Sequence, residues 1–141
     1  MDYREAYEKA LQLLNVRFLS EGELKAKLRR RGVDDDVIED VVAALEGEHF
    51  LDDQRLARDV YRYYARKGQY GHLYIVNRLR RRCLPVPEDV ERPDEYALAG
   101  DLVKRKFSYR ADEARKAARF LQYRGFSPSV IRDVLEDFTV H

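Results

Sequence analysis

Apolar residues in this chain recur at spacings of three and four, and strictly alternating stretches are nearly absent. This period is typical of helices that bury one face, whereas a half-buried strand alternates between apolar and polar positions. Turn formers are scarce, with seven glycines and four prolines in 141 residues. The pattern therefore predicts an all-α protein.

The first helix is predicted over residues 2–17. Its inward positions are predicted to be Ala6, Ala10, Leu13, Leu14 and Val16.

Later helix starts carry local signals. Ser20 and Glu23 have the spacing of a capping box. Val33 and Ile38 flank the predicted cap Asp34 at the spacing of a hydrophobic staple. The same device recurs at two further starts, formed by Leu51, Asp52 and Leu56 and by Phe126, Ser127, Pro128 and Ile131.

The chain repeats itself with a period of roughly 45 residues, a length typical of helical repeats. The matching positions are Leu28, Leu79 and Leu121; Ala6, Ala57 and Ala99; and Gly32, Cys83 and Gly125. The third helices of the outer units match as well, with Val33, Ile38, Val42 and Leu45 against Phe126, Ile131, Leu135 and Phe138. We predict three tandem three-helix repeats, at residues 1–50, 51–93 and 94–141, stacked into an elongated, curved solenoid.

The middle repeat departs from the pattern after Leu84. Pro85, Pro87 and Pro93 leave room for about one helical turn, because proline breaks a helix and restricts the residue before it. We therefore predict a shortened third helix in this repeat, with the bend of the molecule at residues 85–93.

The sequence carries little catalytic chemistry. It has no glycine-rich phosphate loop. Asp52 and Asp53 suit a helix cap and first-turn charge better than a metal site. Cys83 is the single cysteine, which excludes an internal disulfide and a cysteine zinc site, and we expect a small buried thiol. We predict no enzymatic activity, metal or cofactor.

No apolar run approaches the length of a membrane span, and the charged start of the chain lacks a signal-peptide core. We therefore expect a soluble protein of the cytoplasm.

Basic and acidic residues are concentrated in different predicted helices, although the net charge of the chain is only +1, from 27 Lys and Arg against 26 Asp and Glu. The second helix of each repeat is basic, and the third helix of the first repeat is acidic. The basic residues are Lys25, Lys27, Arg29, Arg30 and Arg31; Arg78, Arg80, Arg81 and Arg82; and Arg115, Lys116, Arg119 and Arg124. Either acidic and basic helices neutralise one another, or the cations form a ridge that faces a polyanion or an acidic protein groove.

Five of the ten tyrosines lie within 14 positions. Tyr61 and Tyr64 are predicted to be partly buried, and Tyr63, Tyr70 and Tyr74 to be exposed beside the Arg78–Arg82 cluster. Exposed rings next to arginines suit base stacking or a protein interface. Simple packing of the rings against their own helices is the alternative interpretation.

Three segments resemble the RecX family of recombination regulators. They are Ser20–Leu28 followed by Gly32, Leu51–Ala57, and Phe120–Ser127 followed by Ile131. Each segment alone is weakly specific, but their order and spacing match across nearly the whole chain. Cys83 departs from the family by replacing a glycine at a helix end, and the shortened helix changes the curvature of the repeats.

The resemblance implies a non-catalytic modulator that binds the RecA filament on DNA in its groove and inhibits ATP hydrolysis and strand exchange. The candidate contacts are the basic residues of the second helices, together with Tyr63, Tyr70 and Tyr74. The alternative is a module that binds single- or double-stranded DNA directly through a basic second helix, as a helix-turn-helix reader does. We expect a monomer.

Overall fold

The computed structural model describes residues 1–140, which form eight α-helices and one short 3₁₀ turn at Ala111–Glu113. The helices are α1 (Tyr3–Val16), α2 (Glu21–Arg30), α3 (Asp35–Gly47), α4 (Asp53–Arg66), α5 (His72–Arg81), α6 (Glu95–Lys106), α7 (Ala114–Tyr123) and α8 (Pro128–Val140). No strand occurs within these 140 residues. The prediction of an all-α fold is confirmed.

The helices follow one another as three, two and three, which fits a helical repeat whose middle member has lost its third helix. Residues 82–94 are all described and contain no helix. The predicted shortening is therefore complete, because the backbone does not form even the single turn that the spacing of Pro85, Pro87 and Pro93 allows.

The chain divides into two compact units. The first unit comprises residues 1–59 and 79–87, and α1, α2 and α3 supply its core. The fully buried side chains of these helices are Ala6, Ala10, Leu24, Leu28, Ile38, Val41, Val42 and Leu45. Val16 is 84% exposed, so its predicted inward position is wrong. It lies ~100° around α1 from the centre of the face that buries Ala6 and Ala10.

The second unit comprises residues 60–78 and 88–141, and α6, α7 and α8 supply its main core. The buried residues of these helices and of the turn between α7 and α8 are Ala99, Leu102, Val103, Ala117, Leu121, Phe126, Val130, Val134 and Phe138. Ile131 and Leu135, predicted as core positions, are only half-buried. Their neighbours Val130 and Val134 take the central places on α8 instead.

The leucines and alanines that define the repeat are all inaccessible to solvent. Leu28, Leu79 and Leu121 each have 0% exposure, and so do Ala6, Ala57 and Ala99. At these two positions, each of the three repeats therefore buries the equivalent side chain in a hydrophobic core. The three repeat boundaries and the curved arrangement remain predictions.

The helix starts follow the local signals. Ser20 Oγ accepts the Glu23 amide at 3.1 Å while Glu23 Oε1 accepts the Ser20 amide at 2.9 Å, which completes the capping box. Asp52 Oδ1 accepts the Arg55 amide at 3.1 Å at the start of α4. Asp34 occupies the predicted cap position of α3, but its side chain makes no capping hydrogen bond.

Candidate partner-binding surfaces

On α2, part of the basic charge is neutralised by acidic residues. Lys25 Nζ lies 3.0 Å from carboxylate oxygens of both Glu21 and Glu39, and these hydrogen bonds raise the pKa of Lys25. Arg29 Nε lies 3.0 Å from Asp35 Oδ1. Neutralisation between a basic and an acidic helix therefore describes Lys25 and Arg29. Neighbouring Arg30 and Arg31 are exposed.

At the end of α5, the predicted cluster separates into a structural arginine and two exposed ones. Arg82 Nη2 lies 2.8 Å from the carbonyl oxygen of Phe18 and 3.1 Å from Glu23 Oε1. Burial alone would raise the pKa of Glu23, but hydrogen bonds from Arg82 and from the Ser20 amide lower it below its usual value. Arg80 and Arg81 are exposed and pair with no carboxylate of the described residues.

In the first unit, three carboxylates converge near the start of α4. Asp53 Oδ1 accepts the Glu21 amide at 2.9 Å. Burial, followed by the charge and hydrogen bond of Glu21 and the charge of Asp53, raises the pKa of Glu46. Burial also raises the pKa of Asp53. Within the described residues, no group of three or more His, Cys, Asp or Glu residues could hold a metal ion.

In the second unit, four tyrosines pack together. The rings of Tyr70 and Tyr74 stack with centroids 3.9 Å apart and planes at 5°. Tyr64 meets both rings edge-on, at 6.1 and 5.9 Å, and Tyr63 packs edge-on against Tyr64 at 5.1 Å. Tyr63 is 56% exposed, as predicted, whereas Tyr70 and Tyr74 are half-buried by their mutual stacking.

Three cations lie against these rings. Arg78 donates to the Tyr74 hydroxyl through Nε at 3.1 Å and Nη2 at 2.8 Å. The guanidinium of Arg124 lies 5.6 Å from the Tyr70 ring centroid, and Lys67 Nζ lies 4.7 Å from that of Tyr63. The tyrosine–cation cluster is the group formed by Tyr63, Tyr64, Lys67, Tyr70, Tyr74, Arg78 and Arg124.

The charges of this cluster are not neutralised by acidic groups. None of the described carboxylates forms an ion pair with Lys67, Arg78 or Arg124. Burial alone would raise the pKa of Tyr74, but hydrogen bonds from Arg78 and Tyr70 and the charges of Arg78 and Lys67 lower it. Ring faces beside cations that lack carboxylate partners can receive an anion or a stacked base.

Some contributors to these surfaces were missed from the sequence. Lys67 follows Tyr63 by four residues and lies directly after the end of α4, a spacing that could have indicated their contact. The exposed apolar residues Val16, Phe18 and Phe50 line an open cavity of about 650 Å³ in the first unit. Predicted candidates Arg115 and Arg119 are exposed on α7.

Cys83 is exposed, so the predicted buried thiol is wrong. It has a left-handed backbone with φ of 58°, at the position where Gly32 and Gly125 have φ of 79° and 81°. The end turn of α5 therefore keeps the backbone geometry of the two glycine turns. Separately, none of the helices in the described part of the chain is long and apolar enough to cross a membrane.

Comparison with protein families identifies two matching segments. Residues 6–45 match the first three-helix domain of RecX, and residues 93–135 match its third three-helix domain. A regulatory protein RecX from Pelodictyon phaeoclathratiforme is 33% identical, and the match covers 89% of this chain and 84% of that protein. The chain belongs to the RecX family.

Other RecX proteins match along most of the chain. The protein from Vibrio cholerae serotype O1 is 33% identical, with 96% of this chain and 94% of the relative covered. The crystal structure of RecX from Lactobacillus salivarius has a TM-score of 0.78 at 22% identity and covers 99% of this chain and 98% of that chain. It supports the fold.

The relatives are called regulatory proteins, which fits a regulatory role for this RecX family member. The family also includes longer chains. The regulatory protein RecX of Geobacillus kaustophilus is 30% identical over 99% of this chain, yet the match spans only 56% of that relative.

Proposed function

We propose that this chain is a non-catalytic modulator of RecA that binds the groove of the RecA filament on DNA. In this role it reduces ATP hydrolysis and strand exchange, and it acts as a monomer of three repeats in the cytoplasm. The observation that carries the proposal is the family likeness along nearly the entire chain.

The surface charge supports this role because several arginines are free of internal partners. Arg30, Arg80, Arg81, Arg115 and Arg119 are exposed and form no ion pair within the described part of the chain. By contrast, Arg82 is paired within the chain, with Glu23 and the Phe18 carbonyl oxygen. The exposed set is therefore the part of the predicted ridge that is available to an acidic groove or a phosphate backbone.

A second candidate function is direct binding of single-stranded nucleic acid by the tyrosine–cation cluster. The observation that favours it is the stack of Tyr70 and Tyr74 beside Arg78 and Arg124. Aromatic faces bind bases by stacking, and neighbouring cations bind the phosphates. Weak binding of this kind is compatible with the first function.

The decisive experiment measures ATP hydrolysis by RecA on single-stranded DNA while this protein is added. We expect hydrolysis to fall with added protein, and the effect to weaken as salt rises, because exposed charges are screened. The control repeats the titration with a large excess of DNA. Loss of the effect there would favour sequestration of DNA by the second candidate function, and unchanged hydrolysis throughout would contradict modulation of RecA.

A further inference from the structure

The three second helices end in the same two-residue turn, an arginine followed by a residue with positive φ. The three turns are Arg31–Gly32, Arg82–Cys83 and Arg124–Gly125, with φ of 79°, 58° and 81° at the second residue. In each turn the second residue follows the buried leucine of the repeat by four positions.

The turn at the end of α5 is occupied by the start of α2. A Cβ atom on Gly22 would lie 2.7 Å from Cys83 Cβ, so only glycine at position 22 lets the two backbones approach. Arg82 donates hydrogen bonds to the Phe18 carbonyl oxygen, at 2.8 Å, and to the Glu23 carboxylate in the first turn of α2. The guanidinium therefore pairs with a carboxylate carried by the first turn of the docked helix.

The turn at the end of α7 is occupied by the start of α5, here through backbone hydrogen bonds. The Gly71 amide donates to the Arg124 carbonyl oxygen at 2.7 Å, and the Leu73 amide donates to that of Gly125 at 3.2 Å. Arg124 Nη1 lies 3.4 Å from the carbonyl oxygen of Gln69, which holds the repeat position that Phe18 holds in the first repeat.

The third turn, Arg31–Gly32, is open. A Cβ atom on Gly32 would meet nothing within 4 Å. Arg31 is exposed, and its Nη1 reaches only the carbonyl oxygen of Lys27 in its own helix, at 3.5 Å. No backbone amide of the described residues donates to the carbonyl oxygen of Arg31 or Gly32.

We infer that the Arg31–Gly32 turn binds the N-terminal turn of a helix of the partner protein, one that carries a glutamate in that turn. The inference rests on the proposed function for the existence of that partner. The free amides of such a helix would donate to the two open carbonyl oxygens, and its glutamate would pair with Arg31 as Glu23 pairs with Arg82.

A second copy of this chain fits the open turn less well. The starts of α2 and α5 are already docked within the chain, which leaves the start of α7 to bind the open turn of another copy. There Lys116 holds the repeat position of Glu23 and would repel Arg31. The like charges of Lys116 and Arg31 therefore favour a partner of different sequence.

The test compares two pairs of matched variants for binding to RecA filaments on single-stranded DNA, with fluorescently labelled protein. Gly32→Asn keeps the turn, because asparagine tolerates positive φ and the space is open, but it adds a side chain where a partner would sit. Gly68→Asn is its control, since Gly68 also has positive φ (63°) and open space. Arg31→Gln is matched by Arg105→Gln, which removes the same charge at an exposed position outside the candidate surfaces.

We expect Gly32→Asn and Arg31→Gln each to weaken binding by about tenfold or more, and the two controls to bind within about twofold of the unmodified protein. Thermal unfolding verifies that all four variants fold. Binding by Gly32→Asn and Arg31→Gln at the unmodified level would overturn the inference alone. Failure of the unmodified protein to bind the filament would instead refute the proposed function, and the inference with it.

Sedimentation of the free protein at increasing concentration supplies the other check. We expect no association that depends on this turn. Self-association that Gly32→Asn abolishes would assign the turn to a second copy and overturn the inference.

Discussion

The contact between Gly22 and Cys83 predicts strong coupling between two substitutions. A Cβ on residue 22 would lie 2.7 Å from Cys83 Cβ and 3.0 Å from its Sγ, closer than carbon and sulfur atoms pack. Gly22→Ala should therefore destabilise the protein by about 1–3 kcal/mol through overpacking, although alanine favours helix by ~1 kcal/mol. In a Cys83→Gly background the obstructing side chain is gone, and the same substitution should be neutral or stabilising.

Cys83→Gly alone has two opposing effects. The substitution relieves a left-handed backbone conformation, which costs a residue with a side chain ~1–2 kcal/mol. Because glycine loses more backbone entropy on folding, ~0.5–1 kcal/mol of this gain is offset. We expect a net gain of between zero and about 1.5 kcal/mol. The coupling energy between positions 22 and 83 should be about 1–4 kcal/mol, well outside the ~0.5 kcal/mol within which independent sites add.

Urea unfolding followed by far-ultraviolet circular dichroism measures all four proteins of this cycle. Gly100→Ala is the matched control, because Gly100 also lies within a helix and a Cβ there meets nothing within 4 Å. It should stabilise the protein by up to ~1 kcal/mol, equally in both backgrounds. Additive effects of Gly22→Ala and Cys83→Gly would refute the close approach of α2 to the end turn of α5.

Three further predictions test the core, the exposed arginines and the clustered carboxylates. Leu28→Ala should cost about 2–5 kcal/mol of unfolding free energy in urea, as expected for a fully buried leucine, and a loss below ~1 kcal/mol would contradict its core position. Reversing Arg80 and Arg81 to Glu should preserve helical content but weaken the effect on RecA ATP hydrolysis, whereas Asp36→Asn should leave that effect unchanged. Glu46→Gln should raise stability at neutral pH by less than about 1 kcal/mol, because the raised pKa of Glu46 means that folding disfavours its ionised form. This advantage should vanish as the pH falls below the unfolded-state pKa of the carboxyl, and a Glu46→Gln variant less stable than the parent at neutral pH would contradict the assignment.

The fold was predictable because helix signals and repeat spacing act locally. The capping box at Ser20 and the buried leucines of the repeat each depend on residues a few positions apart. The register of α8 was harder, because Val130 and Ile131 are adjacent apolar residues, as are Val134 and Leu135. Either pair member could face the core, and only packing selects the valines.

The candidate surfaces were less predictable because charge pairing depends on neighbours in space. The sequence does not distinguish the three consecutive arginines at positions 80–82. Only Arg82 pairs with Glu23, a residue 59 positions away. Likewise, the sequence placed Tyr70 and Tyr74 beside arginines without indicating that the rings stack on each other. Composition indicated which residue types could form a binding surface, and tertiary structure decided which of them are exposed and which are paired within the chain.

The two occupied turns also explain why one of them tolerates a cysteine. At the end of α7 a Cβ on Gly125 would lie 2.2 Å from the Tyr74 amide nitrogen, so the turn itself must supply the glycine. At the end of α5 the approaching helix supplies it instead, as Gly22, and Cys83 can keep its side chain. Close approach of two backbones requires the Cβ to be absent on the side that would collide. Glycine can therefore move from the turn to the docked helix without loss of the contact, which accounts for the departure of Cys83 from the glycine of the other two repeats.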